Sequence, residues 1–273
     1  MAQVPQRFFD ALAVRTWCGL SLRALGRARE EIDAINVYPV ADGDTGTNLY
    51  LTVESAAAAV EAVFAAHEVD AGAGDAVDGD AADGPSLADA VGAMAHGALI
   101  GARGNSGTIL AQLLRGMAQV LSARGDSPHT GGFGLRAALR HAAESARNAV
   151  ARPVEGTVLT VASAAADAAD GAGDDCAEVA LAAYEGARAA LAATPGQLPV
   201  LERAGVVDAG GHGLVTVLAA LVETCTGRPP ETGAVLHARE VDRVPHPAGR
   251  GRAPARAPGA AAPHGGGMQQ EGG

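Results

Sequence analysis

Apolar residues recur along most of this chain at intervals of three and four, the spacing that gathers them on one face of an α-helix. Phe9, Leu12, Ala13, Thr16 and Leu20 carry it over residues 7–33, and an alanine-rich stretch resumes it over 49–66. Ser86 stands where an N-cap belongs, ahead of Leu87, Val91, Met94, Ala95 and Ala98. Ile109, Leu113, Met117 and Val120 mark the next face, then Leu135, Leu139, Ala142, Ala146 and Ala149. Residues 158–169, 179–191 and 197–203 continue the series, while 213–226 is apolar nearly all round, the mark of a buried helix. No alternating run suggests a strand ladder. The pattern predicts an all-α bundle of about eight amphipathic helices with short connections.

Two regions depart from it. Residues 68–85 are rich in Gly, Ala and Asp, with an Asp-Gly-Asp at 78–80 that has no hydroxyl or amide neighbours; this predicts a solvated loop. From Gly227 onward the chain turns to Pro, Gly, Ala and Arg, too poor in apolar surface to fold alone, so 227–273 is expected to be a disordered tail behind a helical domain at 8–226.

Composition narrows the chemistry. Apolar residues make up 48% of the 273 and aromatics only 3%, so Leu, Val, Ile and Ala must build the core. The net charge is −11 and every one of the 20 basic residues is arginine. An acidic chain without a basic stripe argues against nucleic-acid binding. Without lysine there is no Walker A loop, so phosphate would have to be held by backbone amides, hydroxyls, arginine or a metal. Cys18, Cys176 and Cys225 are far apart and odd in number, which fits small apolar residues in a reducing compartment. The first ten residues lack the pattern of a signal peptide, and the uninterrupted apolar runs are too short for a bilayer, so the expected location is the cytoplasm.

Residues 36–48 read Asn-Val-Tyr-Pro-Val-Ala-Asp-Gly-Asp-Thr-Gly-Thr-Asn. Asp42 and Asp44 put two carboxylates on one turn, and hydroxyls and an amide follow at Thr45, Thr47 and Asn48. Hard cations such as Mg²⁺ take oxygen ligands of this kind together with substrate phosphates, though an Asp/Gly surface turn reads the same way. Three more glycine-bearing breaks lie at helix boundaries: Gly104 to Gly107, Gly156-Thr157 and Asp208 to Gly211. Each carries a polar group (Asn105 and Ser106, Thr157, Asp208) and precedes a predicted helix, whose N-terminal amides suit anions. Glycines also simply begin and end helices. His212, His96, Arg103 and Arg115 lie near these breaks and are weaker candidates for a base or a phosphate contact. No Ser-His-Asp order or His-Glu-x-x-His pattern appears.

Taken in order, N-V-Y-P-V-A-D-G-D-T-G-T-N, A-R-G-N-S-G-T-I-L-A-Q-L-L-R-G, R-P-V-E-G-T-V-L-T-V and A-G-V-V-D-A-G-G-H-G-L resemble the nucleotide-binding domain of the dihydroxyacetone kinase L-subunit family, with the N-terminal domain of bacterial fatty acid kinase as the nearest branch. The resemblance covers residues 8–226 and implies a barrel of eight antiparallel amphipathic helices binding ATP or ADP with two Mg²⁺ at one end. It assigns Asp42, Asp44 and Asn36 to metal, and Thr45, Gly46, Thr47, Asn48, Asn105, Ser106, Gly107, Thr157 and Asp208 to the nucleotide. It further implies phosphoryl transfer to a fatty acid carried by a lipid-carrier protein. Fatty acid kinase continues into further domains where this chain has its low-complexity tail, so those domains or a partner would be needed. An incomplete nucleotide-binding or regulatory subunit, or an ADP-binding dihydroxyacetone kinase subunit, are the alternatives.

Overall fold

In the computed structural model, residues 8–73, 84–123 and 127–231 are described. The chain divides into two units, Met1–Ala238 and Arg239–Gly273; every element below belongs to the first, and the second lies outside the described residues. The second Asp-Gly-Asp and the expected tail from 232 onward lie outside them too.

Nine α-helices are present among the described residues: α1 Ala11–Ala34, α2 Thr45–Ala73, α3 Leu87–Gly101, α4 Gly104–Ser122, α5 Gly132–Ala149, α6 Val158–Asp170, α7 Cys176–Ala193, the short α8 Pro199–Ala204 and α9 Ala209–Thr226. Each long helix packs on the next, and α9 returns to α1, so the eight long helices close a ring. This is the all-α barrel the spacing and the resemblance led one to expect. Its centre is filled by alanine, leucine and valine around Trp17, whose indole Nε1 donates to the Val217 carbonyl of the adjacent α9 at 3.0 Å. Small side chains let the helices approach closely: a Cβ on Gly116 would meet the Ala142 backbone at 2.8 Å, and one on Gly186 would meet Ala168 at 2.5 Å.

One strand pair escaped the sequence pattern. Phe9–Asp10 (β1) pairs antiparallel with His129–Thr130 (β2), two residues each and too short to alternate visibly. Helix bounds moved as well. The second helix runs from Thr45 to Ala73 rather than 49–66, because alanine sustains it and no proline intervenes before Pro85. Its residues Thr45–Val69, and those of α9, are long and apolar enough to cross a membrane by length and composition. Threonine, glycine and alanine interrupt their leucine and valine runs, which hid that length in the sequence. In the fold both are staves of the ring, and α9 is 67% buried there.

Successive staves run up and down, so the N-termini of α2, α4, α6 and α9 gather at one end. Contacts between distant residues fix this: Thr45 meets Ser106, Gly210 packs on Val158, and Gly213 lies under Leu49 and Ile32. At the opposite end β1 and β2 hold together the starts of α1 and α5.

Candidate functional site

The four sequence breaks are the N-terminal turns of those four helices. Some glycines in and beside them are there for packing. A Cβ on Gly46 would collide with the Arg29 carbonyl, one on Gly107 with the Thr52 hydroxyl, and one on Gly213 with Leu49. Gly43, Gly104 and Gly156 have the other reason: their φ values of 66°, 56° and 79° are ones other residues rarely adopt, and Gly43 turns the chain between the two aspartates.

The mouth opens into a cavity of about 390 Å³, within the range of small-molecule sites. Thr45, Asn105, Ser106, Thr157 and Asp208 all line it, so five of the nine nucleotide candidates, from four separate breaks, face one space. Its apolar floor includes Leu49, Leu110, Leu113, Leu159 and Leu214. The Thr45 and Ser106 hydroxyls lie 3.2 Å apart and join the first turns of α2 and α4.

The other four candidates stand behind the wall. Thr47 turns away: its backbone N–H and hydroxyl both donate to the Asp33 carboxylate, at 3.0 and 2.8 Å. Gly46 and Gly107 are the close packing points described above, and Asn48 packs beside Gly104 while its backbone N–H donates to the Asp44 carbonyl. Asp33 was missed in the sequence, where it looks like one more acid on a helix. It supplies the start of α2 with an acceptor from a neighbouring helix.

The acidic turn has a donor set suited to a hard cation. Asn36 is only 6% exposed, its Nδ2 donates to Asp42 Oδ1 at 2.7 Å, and its own Oδ1 is buried with no partner. A buried amide oxygen without a hydrogen bond is costly unless something binds it. Asp42 and Asp44, close in sequence, carry carboxylate oxygens of the kind a hard cation such as Mg²⁺ takes, and Asn36 presents its amide nitrogen to Asp42. No group of three or more His, Cys, Asp or Glu that could hold a metal occurs among the described residues.

On the other side of the mouth the groups are already satisfied. Thr157 caps α6, accepting from Leu159 N–H at 3.4 Å and donating to the Val154 carbonyl at 2.7 Å. Asp208 caps α9, accepting from Gly211 N–H at 2.7 Å. Burial pushes the Asp208 carboxyl up to about 6, against the backbone amides of Gly211 and Val158, which pull it down. By contrast α4 has Arg103 at its N-cap and no side-chain cap, leaving its first amides to other acceptors.

His212, in the first turn of α9, does not line the cavity; its Nδ1 is buried without a partner, and burial lowers its pKa, with Glu31 opposing. His96 is exposed on α3, and Arg115 donates to Gln112 within α4. Tyr38 and Arg152 line the cavity although the sequence reading gave neither a role.

Comparison with known proteins agrees with this architecture. A family model described as the DAK2 domain matches residues 39–223. The chain is 38% identical over 215 residues to Protein YloV of Bacillus subtilis, covering 78% of this chain and 35% of that protein. It is 39% identical over 203 residues to an uncharacterized protein of Staphylococcus saprophyticus, covering 72% and 32%. The chain thus spans about a third of the length of these relatives. The crystal structure of the dihydroxyacetone kinase of C. freundii superposes with a TM-score of 0.53 at 17% identity, covering 82% of this chain and 37% of that one, which is a likeness of fold. With its ring of helices and its acidic turn inside the matched segment, the chain belongs to the DAK2-domain family.

Proposed function

We propose that this chain is a Mg-nucleotide-binding phosphotransferase domain, located in the cytoplasm, that passes the γ-phosphate of ATP to a fatty acid presented by a lipid-carrier protein or by further domains. The observation that carries the nucleotide reading is the convergence of four helix N-termini and their polar residues on one cavity. Each terminus presents about half a positive charge, so together they favour a polyanion without any lysine. The acidic turn would hold two Mg²⁺ through Asp42, Asp44 and Asn36. When bound, the metal would neutralise charge on the transferred phosphoryl group.

The chain's own residues do the positioning. Thr45 and Ser106 offer hydroxyls, and the uncapped start of α4 offers amides, to phosphate oxygens. The leucine floor takes the base and excludes water. Asp208 keeps α9 in register at the far wall.

Calorimetric titration of ATP into the protein, with Mg²⁺ and then with EDTA, tests this reading. Metal-dependent binding is expected, and Asp42→Asn should abolish it without loss of helicity, because Asp42 is exposed. Absence of binding in both buffers would sink the proposal. One observation favours a second reading, a nucleotide-binding module without turnover of its own: the chain covers about a third of its relatives. Tight binding with no phosphate transfer to fatty acid, even with carrier supplied, would select it. Transfer to dihydroxyacetone instead would move the acceptor to the triose class.

A further inference from the structure

Arg152 stands on the connection between α5 and α6, exposed, and it is the single cation among the described residues that line the cavity. The arginines of the preceding helix, α5, are spent on acids. Arg136 pairs with Asp174, Arg140 with Asp167 and Asp170, and Arg147 with Glu155. Glu155, three residues from Arg152, is the acid that would otherwise take it. That carboxylate already accepts from Arg147 Nη2 at 2.8 Å and from the Thr160 hydroxyl at 2.6 Å. No described carboxylate lies within ion-pair reach of Arg152. Pro153 follows it and biases its backbone toward extended conformations.

Ring order sets what it can reach. The α5–α6 connection lies between the start of α4, with Asn105 and Ser106, and the start of α6, with Thr157. An unpaired guanidinium beside an uncapped helix start is a two-pronged donor for phosphate, and a planar fork binds it more specifically than an ammonium. Arg103, at the N-cap of α4, is a second exposed cation at this end, but it does not line the cavity.

We propose that Arg152 clamps the polyphosphate of the bound nucleotide, closing the cradle formed by α2 and α4; this rests on the nucleotide reading above. Its test is calorimetric affinity for Mg-ATP, Mg-ADP and adenosine in the full chain, with Arg152→Gln, Arg152→Lys and the distant exposed Arg23→Gln. Arg152→Gln should weaken Mg-ATP by about tenfold or more and leave adenosine unchanged, as loss of a charge-assisted bond predicts. Arg152→Lys should recover part of the loss, and Arg23→Gln should match the unaltered protein. If the unaltered protein binds Mg-ATP and Arg152→Gln binds it equally, the clamp is overturned while the nucleotide reading stands. Equal loss for ATP and adenosine also overturns it, because Arg152 would then shape the cavity rather than hold phosphate. If the unaltered protein binds no nucleotide, the reading and the clamp fall together.

Discussion

Two aspartates at the same mouth behave as opposites. Asp42, on the turn before α2, is exposed and accepts from the Asn36 amide nitrogen, whose own oxygen has no partner. Asp208, at the start of α9, is 5% exposed, capped onto its own helix, and raised to about 6 by burial. The residue type is the same and each precedes a helix, yet one has its charge available and the other has it suppressed. Burial and capping thus divide the mouth: Asp208 is satisfied within the fold, while Asp42 stands exposed on the turn before α2.

The largest disturbance of this contrast should come from closing the α2 side sterically. Gly46→Ala would drive a methyl into the Arg29 carbonyl, a backbone atom that cannot swing aside. Overpacking of that kind should cost about 3 kcal/mol, read as a lower thermal midpoint. If the midpoint is unchanged, α1 and α2 are looser than their packing implies.

Next comes the pH response of Asp208. An unfolded aspartate titrates near 3.9, so the folded protein binds the extra proton between about pH 4 and 6. Stability from this group is thus greatest below pH 4 and falls through that window by about 2 to 3 kcal/mol. Asparagine also caps helices, so Asp208→Asn should flatten this part of the stability–pH curve without unfolding α9. A curve that keeps its slope would assign the titration elsewhere.

A finer test sets the two kinds of helix start against each other. Asp33→Ala removes the acceptor of two Thr47 hydrogen bonds and should cost about 1 to 2 kcal/mol; Thr157→Ala removes a longer cap and should cost about 1 kcal/mol or less. Chemical denaturation of both variants, measured side by side, would reverse the assignment if Thr157→Ala cost more.

The helices were legible because alanine, leucine and valine fall at helical spacing with few exceptions. The candidate site was legible as four motifs, yet their glycines misled in detail. Gly46 and Gly107 sit inside the first turns of helices and serve close packing, which spacing along a chain cannot reveal. Asp33 was invisible because its partner, Thr47, lies across a turn in another helix. Arg152 sat within a motif but gained meaning only when Glu155 proved to be occupied. The β1–β2 pair was too short for any period to register.

Eight is an even number, and that has a practical consequence. A ring of eight alternating staves begins and ends on the same side, so Ala11 and Thr226 both lie at the end away from the mouth. One stave of 18 residues, roughly 27 Å, separates them from the cavity. A fluorophore on an exposed residue at that end, such as Phe8, would sit a stave's length from the opening and leave it clear.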